Sequence, residues 1–274
     1  MAEVTLLTLE QLEAKVRSGD YASVREFLRN VSRSDIPDRL TLNLCQLARR
    51  IDYAKKGIVL LRERIMDLPP QIKPDPREQA EYAACLLKLG GVSEARRLLS
   101  EVPTEKAPEV YKYLAFTYVH QWDYAAAIPL LKSYLARPEL TDYDRLVGSL
   151  NLGAALVAVE DYGQAVEILT PLRNQAEQEG HKLVLGNTCE LLAQTQIHLR
   201  KFSKAAEFIE WSWQSLQTAQ PRYRMYLEKW KAVAALMQNP EDEAAHASLR
   251  QVRSEAIERS DWETIRDCDL HESV

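Results

Sequence analysis

Leu152-Gly153-Ala154-Ala155-Leu156, then Asp161-Tyr162-Gly163-Gln164-Ala165, then Leu169, is the stretch that decides the fold. It sets an apolar residue beside a small one, a second small residue twelve positions on, and a leucine four further. The pattern recurs as Leu192-Ala193, Ala205, Ile209 and as Leu114-Ala115, Ala127, Leu131. It returns as Tyr82-Ala83, Ala95, Leu99 and as Leu44-Cys45, Gly57, Leu61. Tyr124, Tyr162 and Phe202 stand three residues before the second small position. The first small positions are 45, 83, 115, 153 and 193, so the spacings are 38, 32, 38 and 40. Self-similarity at such periods marks stacked repeats. Small residues on facing turns let antiparallel helices approach, and bulkier ones fill the space between pairs. Gly90-Gly91, Gln121-Trp122-Asp123, Glu160-Asp161 and Arg200-Lys201 are short polar breaks, so each copy reads as an αα-hairpin.

Composition agrees. The chain has 274 residues, 46 % of them hydrophobic and 27 % charged, with nine glycines and a formal net charge of −5. That is ordinary for a folded helical protein and excludes collagen, a disordered tail and a disulfide-stapled toxin. The mild acidity argues against a phosphate backbone as main partner.

Helix boundaries can be placed from capping chemistry. Thr8 with Gln11 and Ser260 with Glu263 read as capping boxes. Asn239-Pro240-Glu241 reads as a cap followed by an N1 proline, and Pro37 and Pro221 are expected to open helices likewise. The segment from Leu68 to Pro76 holds four prolines and is expected to be a stiff connector.

On these residues the chain resembles the tetratricopeptide-repeat proteins. Leu152-Gly153-x-x-Leu156 with Asp161-Tyr162-x-x-Ala165-x-x-x-Leu169 is similar to the family's small-x-x-aromatic and Tyr-x-x-Ala-x-x-x-Phe pattern. Leu114-Ala115-x-x-Tyr118 with Asp123-Tyr124-x-x-Ala127-x-x-x-Leu131 is similar too. Weaker copies stand at Leu12, Gly19-Asp20-Tyr21, Val24 and Leu28, and at Val233, Ala245 and Leu249. The period departs from the family's spacing of about 34 residues, and its proline after the second helix is matched loosely by Pro103 and Pro138. The resemblance implies an all-α, right-handed superhelical solenoid of about seven antiparallel helix pairs plus a C-terminal helix. Residues 1–260 are expected to form the repeat domain. Residues 261–274 are expected to be a capping helix or the start of a following region, with Trp262 and Ile265 built to pack on something.

The start, Met1-Ala2-Glu3-Val4-Thr5-Leu6-Leu7, lacks a basic segment and is followed by Glu10 and Glu13, unlike a secretory signal. No apolar run approaches the ~18 residues of a membrane span. Cys45, Cys85, Cys189 and Cys268 form no C-x-x-C, and reduced thiols in the cytoplasm are expected.

Catalytic signatures are absent from the sequence: no P-loop, G-x-G-x-x-G, G-x-S-x-G or H-E-x-x-H occurs. Among His120, His181, His198, His246 and His271, only His271 has metal-ligand spacing to a cysteine, Cys268, and two ligands do not make a site. Asp142 with Asp144 and Asp267 with Asp269 read as helix-start or solvated carboxylates. From Arg222 to Lys231 basic residues alternate with aromatics, as an RNA-stacking face would. Tyr223, Tyr226, Leu227 and Trp230 fall at helical spacing, however, which favours a buried stripe with Arg and Lys in water. No catalytic residue, cofactor or metal is assigned, and nucleic acid is not the expected partner.

Binding another chain is left. The resemblance implies that the first helix of each pair lines a concave groove, where an Asn would hydrogen-bond a peptide backbone. Asn43 and Asn151, two residues before the first small position, match that role. Arg39, Gln46, Arg49, Lys112, Asn187 and Gln194 are further groove candidates, with Glu109 and Glu190 diluting the positive charge. Residues 146–159 are apolar nearly all round, so Val147, Leu150, Ala154 and Val157 are expected in the groove, covered by a partner, by the chain itself or by a second copy. The expected role is a non-enzymatic scaffold or adaptor for a protein or peptide. The alternative is a regulatory or sensor domain of a larger signalling or transcription protein that continues past residue 274.

Overall fold

A computed structural model describes residues 8–18, 20–69, 71–216 and 221–272. Met1 to Leu7, Gly19 and Pro70, which entered the sequence reading, lie outside them. The described residues form α-helices and one short 3-10 turn at Arg33–Asp35, with no strand among them.

Two compact units divide at Pro138. The first holds α1 (Leu9–Ser18), α2 (Tyr21–Asn30), α3 (Asp38–Arg50), α4 (Ala54–Ile65), α5 (Pro76–Lys88), α6 (Val92–Ser100), α7 (Glu109–Val119) and α8 (Tyr124–Leu135). The second holds α9 (Asp142–Ala158), α10 (Tyr162–Gln178), α11 (Lys182–His198), α12 (Phe202–Ser215), α13 (Pro221–Leu236), α14 (Glu243–Glu258) and α15 (Trp262–Glu272).

Among the described residues each odd-numbered helix from α1 to α13 packs on the helix that follows it, which gives seven pairs and a single last helix. Within each unit, first helices of successive pairs lie side by side: α1 on α3, α5 and α7 beyond, then α9, α11, α13 and α15. Second helices α2, α4 and α6, and α10, α12 and α14, pack on the next first helix. Thus α15 occupies the place of a first helix. Its Thr264, Ile265 and Cys268 are buried, whereas Trp262 is 68 % exposed.

The repeat positions are the cores of these pairs. Ala83, Ala115 and Ala193 are fully buried, as are Ala95, Ala127, Ala165 and Ala205 on the second helices. Leu61, Leu99, Leu131, Leu169, Ile209 and Leu249 complete the contacts. In the weak outer copies Leu12, Val24, Leu28, Val233 and Ala245 are buried too.

One turn joins the two helices of each pair from the second to the sixth. Asp52, Gly90, Trp122, Glu160 and Arg200, each five residues before the second small position, have φ between 56° and 85°. The next residue's N–H bonds back to the carbonyl five residues earlier: Tyr53 to Ala48, Gly91 to Leu86, Asp123 to Tyr118, Asp161 to Leu156 and Lys201 to Gln196, at 2.8–3.0 Å. This is the left-handed helix stop that closes orphan carbonyls, and glycine suits it best. Only Gly90 among the five is a glycine.

Capping partly follows the sequence. Thr8 and Gln11 exchange backbone–side-chain bonds at 2.8 and 3.2 Å. Asp20, Asp123 and Asp161 cap α2, α8 and α10 through the N–H groups of Ser23, Ala126 and Gln164. Two expectations are corrected. Ser260 has φ +55 and closes α14, so Asp261 caps α15 by accepting from the Thr264 N–H at 3.1 Å. Asp242, not Asn239, caps α14, through Ala244 and Ala245.

Candidate functional site

The first helices carry polar side chains that face one another along the stack. In the first unit, the position two residues before the small residue holds Asn43 on α3, Glu81 on α5 and Tyr113 on α7. Glu81 and Tyr113 are buried, at 1 % and 2 % exposure. Arg49, one helical turn past Cys45, reaches across to them. Its Nε donates to Glu81 Oε1 at 2.6 Å, and Nη2 donates to Glu81 Oε2 at 3.3 Å and to Tyr113 Oη at 3.0 Å. Tyr113 Oη donates to Glu81 Oε2 at 2.8 Å. One network therefore ties three successive first helices. Burial works against the Arg49 charge, but Glu81 and Tyr113 hold its basicity well above the ordinary value. Burial also pushes the Tyr113 phenol up.

Lys112 lies beside this network. It is buried, its Nζ donates to Tyr134 Oη at 3.2 Å, and it sits over the Tyr134 ring at 4.9 Å. Lys112 is thus buried and Arg49 half-buried, and both groove candidates are engaged with neighbouring side chains. Glu109 is taken up by Arg77 at 2.5 Å. Of the remaining candidates here, Arg39 is exposed and Asn43 and Gln46 are half-buried.

In the second unit, Asn151 donates Nδ2–H to the Val147 carbonyl at 2.7 Å, and Asn187 does the same to Leu183 at 2.9 Å. Both are half-buried, as are Val147, Leu150, Ala154 and Gln194. Val157 is buried, at 6 % exposure. Neighbouring α11 lies along α9, and so covers part of the apolar helix.

Further along, α11, α13 and α15 share a polar and aromatic cluster that the sequence did not announce. Glu190 Oε1 accepts from Trp230 Nε1 at 2.7 Å and from Gln194 Nε2 at 2.5 Å. Burial raises the Glu190 carboxyl, opposed by nearby Lys229. Lys229 is itself buried and pairs with Asp267 at 2.7 Å. The stripe expected from Tyr223, Tyr226, Leu227 and Trp230 is present, with Leu227 and Trp230 buried, but Lys229 is not in water. His198 and His271 meet Trp230 edge-on at 6.0 and 6.1 Å, and His198 stacks on Tyr162 at 5.4 Å. Only a buried partner for Lys229, invisible in a helical wheel, distinguishes this helix from an ordinary amphipathic one.

Little nucleophilic chemistry is available here. Burial pushes the Cys189 and Cys268 thiols up to about 12 and about 11, which keeps them protonated. Cys45, Glu81 and Cys85 have potential ligand atoms within 4.8 Å of one another, the residue types a soft cation takes. Both Glu81 oxygens are already engaged, and a guanidinium lies against them, so this triad does not suit a cation. Asp142 and Asp144 sit in the first turn of α9, where carboxylates favour the helix start. No described helix is long and apolar enough to cross a membrane.

Stacked antiparallel pairs with small residues at fixed positions, joined by one repeated turn, define an all-α protein built from αα-hairpin repeats. No family model and no curated protein matches the sequence. Among solved structures, the chain is similar to the C-terminal part of a TPR repeat-containing protein from Cytophaga hutchinsonii, at 12 % identity and a TM-score of 0.42, covering 95 % of this chain and 99 % of that one.

Proposed function

We propose that the chain is a non-enzymatic protein-interaction module, a scaffold or adaptor that holds a peptide or helix against its first helices. The observation that supports this reading is the pair Asn151 and Asn187 on adjacent helices α9 and α11. Each spends an amide N–H on its own helix. Each keeps a carboxamide oxygen to accept from a partner's backbone N–H, a match that does not depend on the partner's sequence. Gln194, on the same helix as Asn187, offers a further polar contact. Helices α9 and α11, fixed by packing on each other and on α10, present these groups with little ordering cost on the receptor side. The four free, buried cysteines support a reducing, cytoplasmic setting.

A displayed library of random peptides, selected on the full chain, tests the proposal. Enrichment by the wild type that is lost in an Asn151→Ala, Asn187→Ala double variant is expected. Equal enrichment by the folded double variant would remove this site.

A further inference from the structure

Cys45 and Cys85 face each other across α3 and α5 with their sulfurs 3.6 Å apart, both fully buried. They are forty positions apart in sequence, so only the stacking of first helices brings them together. The facing residue on α4 is Gly57. A Cβ there would lie 2.6 Å from the Cys85 sulfur and 2.9 Å from the Cys45 sulfur. The equivalent position in the next four pairs is alanine. The second pair alone among these gives up the methyl group, and the sulfurs use the space.

We propose that Cys45 and Cys85 are a covalent modification site, an oxidisable dithiol that a peroxide converts to a disulfide clamping α3 to α5. A disulfide needs sulfurs about 2.0 Å apart, so the pair closes by about 1.6 Å. The reaction balances in two steps. Peroxide takes two electrons from one sulfur, leaving a sulfenic acid and releasing one water. The second sulfur then attacks the sulfenic sulfur: the S–S bond forms, the S–O bond breaks, and hydroxide leaves with the thiol proton as a second water. Burial makes the first step wait for local opening of the α3–α5 contact. Reclosing delivers the second thiol directly, so capture outruns further oxidation. The crosslink lies next to the Arg49–Glu81–Tyr113 network and fixes two of the three helices that the network ties. Metal capture by the pair is disfavoured, because a cation would lie beside the Arg49 guanidinium and compete for Glu81 oxygens already engaged.

The test treats the full chain with hydrogen peroxide, quenches it by alkylation under denaturing conditions, and maps the peptides without reductant. A linked Cys45–Cys85 peptide is expected, with Cys189 and Cys268 still alkylated. The urea midpoint should rise on oxidation and return with dithiothreitol, and Cys85→Ala should abolish both effects. The wild-type map stands whether or not that variant folds. Crosslinks to other cysteines, sulfinic acid at Cys45 or Cys85 without a link, or both thiols fully alkylated after treatment would overturn the proposal. So would stoichiometric zinc that shields the pair until it is chelated.

Discussion

Leu169 occupies the space that a side chain on Gly153 would need. A Cβ on Gly153 would lie 2.8 Å from Leu169 Cγ and closer still to Cδ2. These two residues, sixteen apart, open and close the repeat pattern, and their contact sets how closely α9 and α10 approach.

Gly153→Ala is therefore expected to destabilise the chain although alanine is the better helix former. Overpacking costs about 1–3 kcal/mol, against about 1 kcal/mol gained in helix propensity. Gly163→Ala, at an exposed position of α10 where the nearest atom to the new Cβ would be Asp161 Oδ1 at 3.9 Å, should stabilise by about 0.5–1 kcal/mol. Urea unfolding of both variants checks the opposite signs.

The repeated left-handed turn makes a second prediction. Glu160 and Arg200 adopt φ 63° and 56° without being glycine. Glu160→Gly and Arg200→Gly should each raise stability by about 1 kcal/mol, whereas Arg200→Val should lower it. Thermal melts of the three variants decide between this and a turn held by side-chain contacts.

Breaking the buried network from one side should cost more than any surface change. Glu81→Ala leaves the Arg49 guanidinium uncompensated, and a loss of about 3–5 kcal/mol is expected. An Arg49→Met, Glu81→Leu double variant should recover most of it. A double variant as unstable as Glu81→Ala alone would show that packing, not charge, is at issue.

Stability should also fall on acidification. Desolvation pushes the His271 and His198 imidazoles below the ordinary value of 6.5, against the opposing pull of Asp267. Below 6.5 the unfolded chain binds protons that the folded chain refuses, so stability present above that pH is lost as pH falls through the lowered values. Glu190, raised by burial, contributes the opposite way: it favours folding below 4.5 and loses that contribution as pH rises through its raised value. The histidine contribution begins to be lost at 6.5 and carries the opposite sign to that of Glu190. A His198→Gln, His271→Gln variant should flatten the dependence of Tm on pH there.

How much of this was legible in the sequence depends on what each feature needs. Helix pairs, their count and the buried small positions follow from periodicity, since Gly153, Ala165 and Leu169 need only their spacing. The place of most of the turns follows too, but not their left-handed conformation: Asp52, Trp122, Glu160 and Arg200 share it and have no side-chain chemistry in common. The site was legible only in part. Asn151 and Asn187 fell on first helices as expected, whereas Arg49 and Lys112 are engaged with neighbouring side chains and Val157 is buried. Whether a side chain points along the stack or away from it depends on the neighbouring helix, and one helix's pattern does not contain that neighbour. Likewise Lys229 pairs with Asp267, thirty-eight residues away.

Hydrogen exchange of the chain with and without a selected peptide tests the central claim most directly. New protection confined to first helices, centred on α9 around Asn151 and on α11 around Asn187 and Gln194, is the predicted result. Protection centred on α10 and α12, with α9 and α11 unchanged, would contradict it.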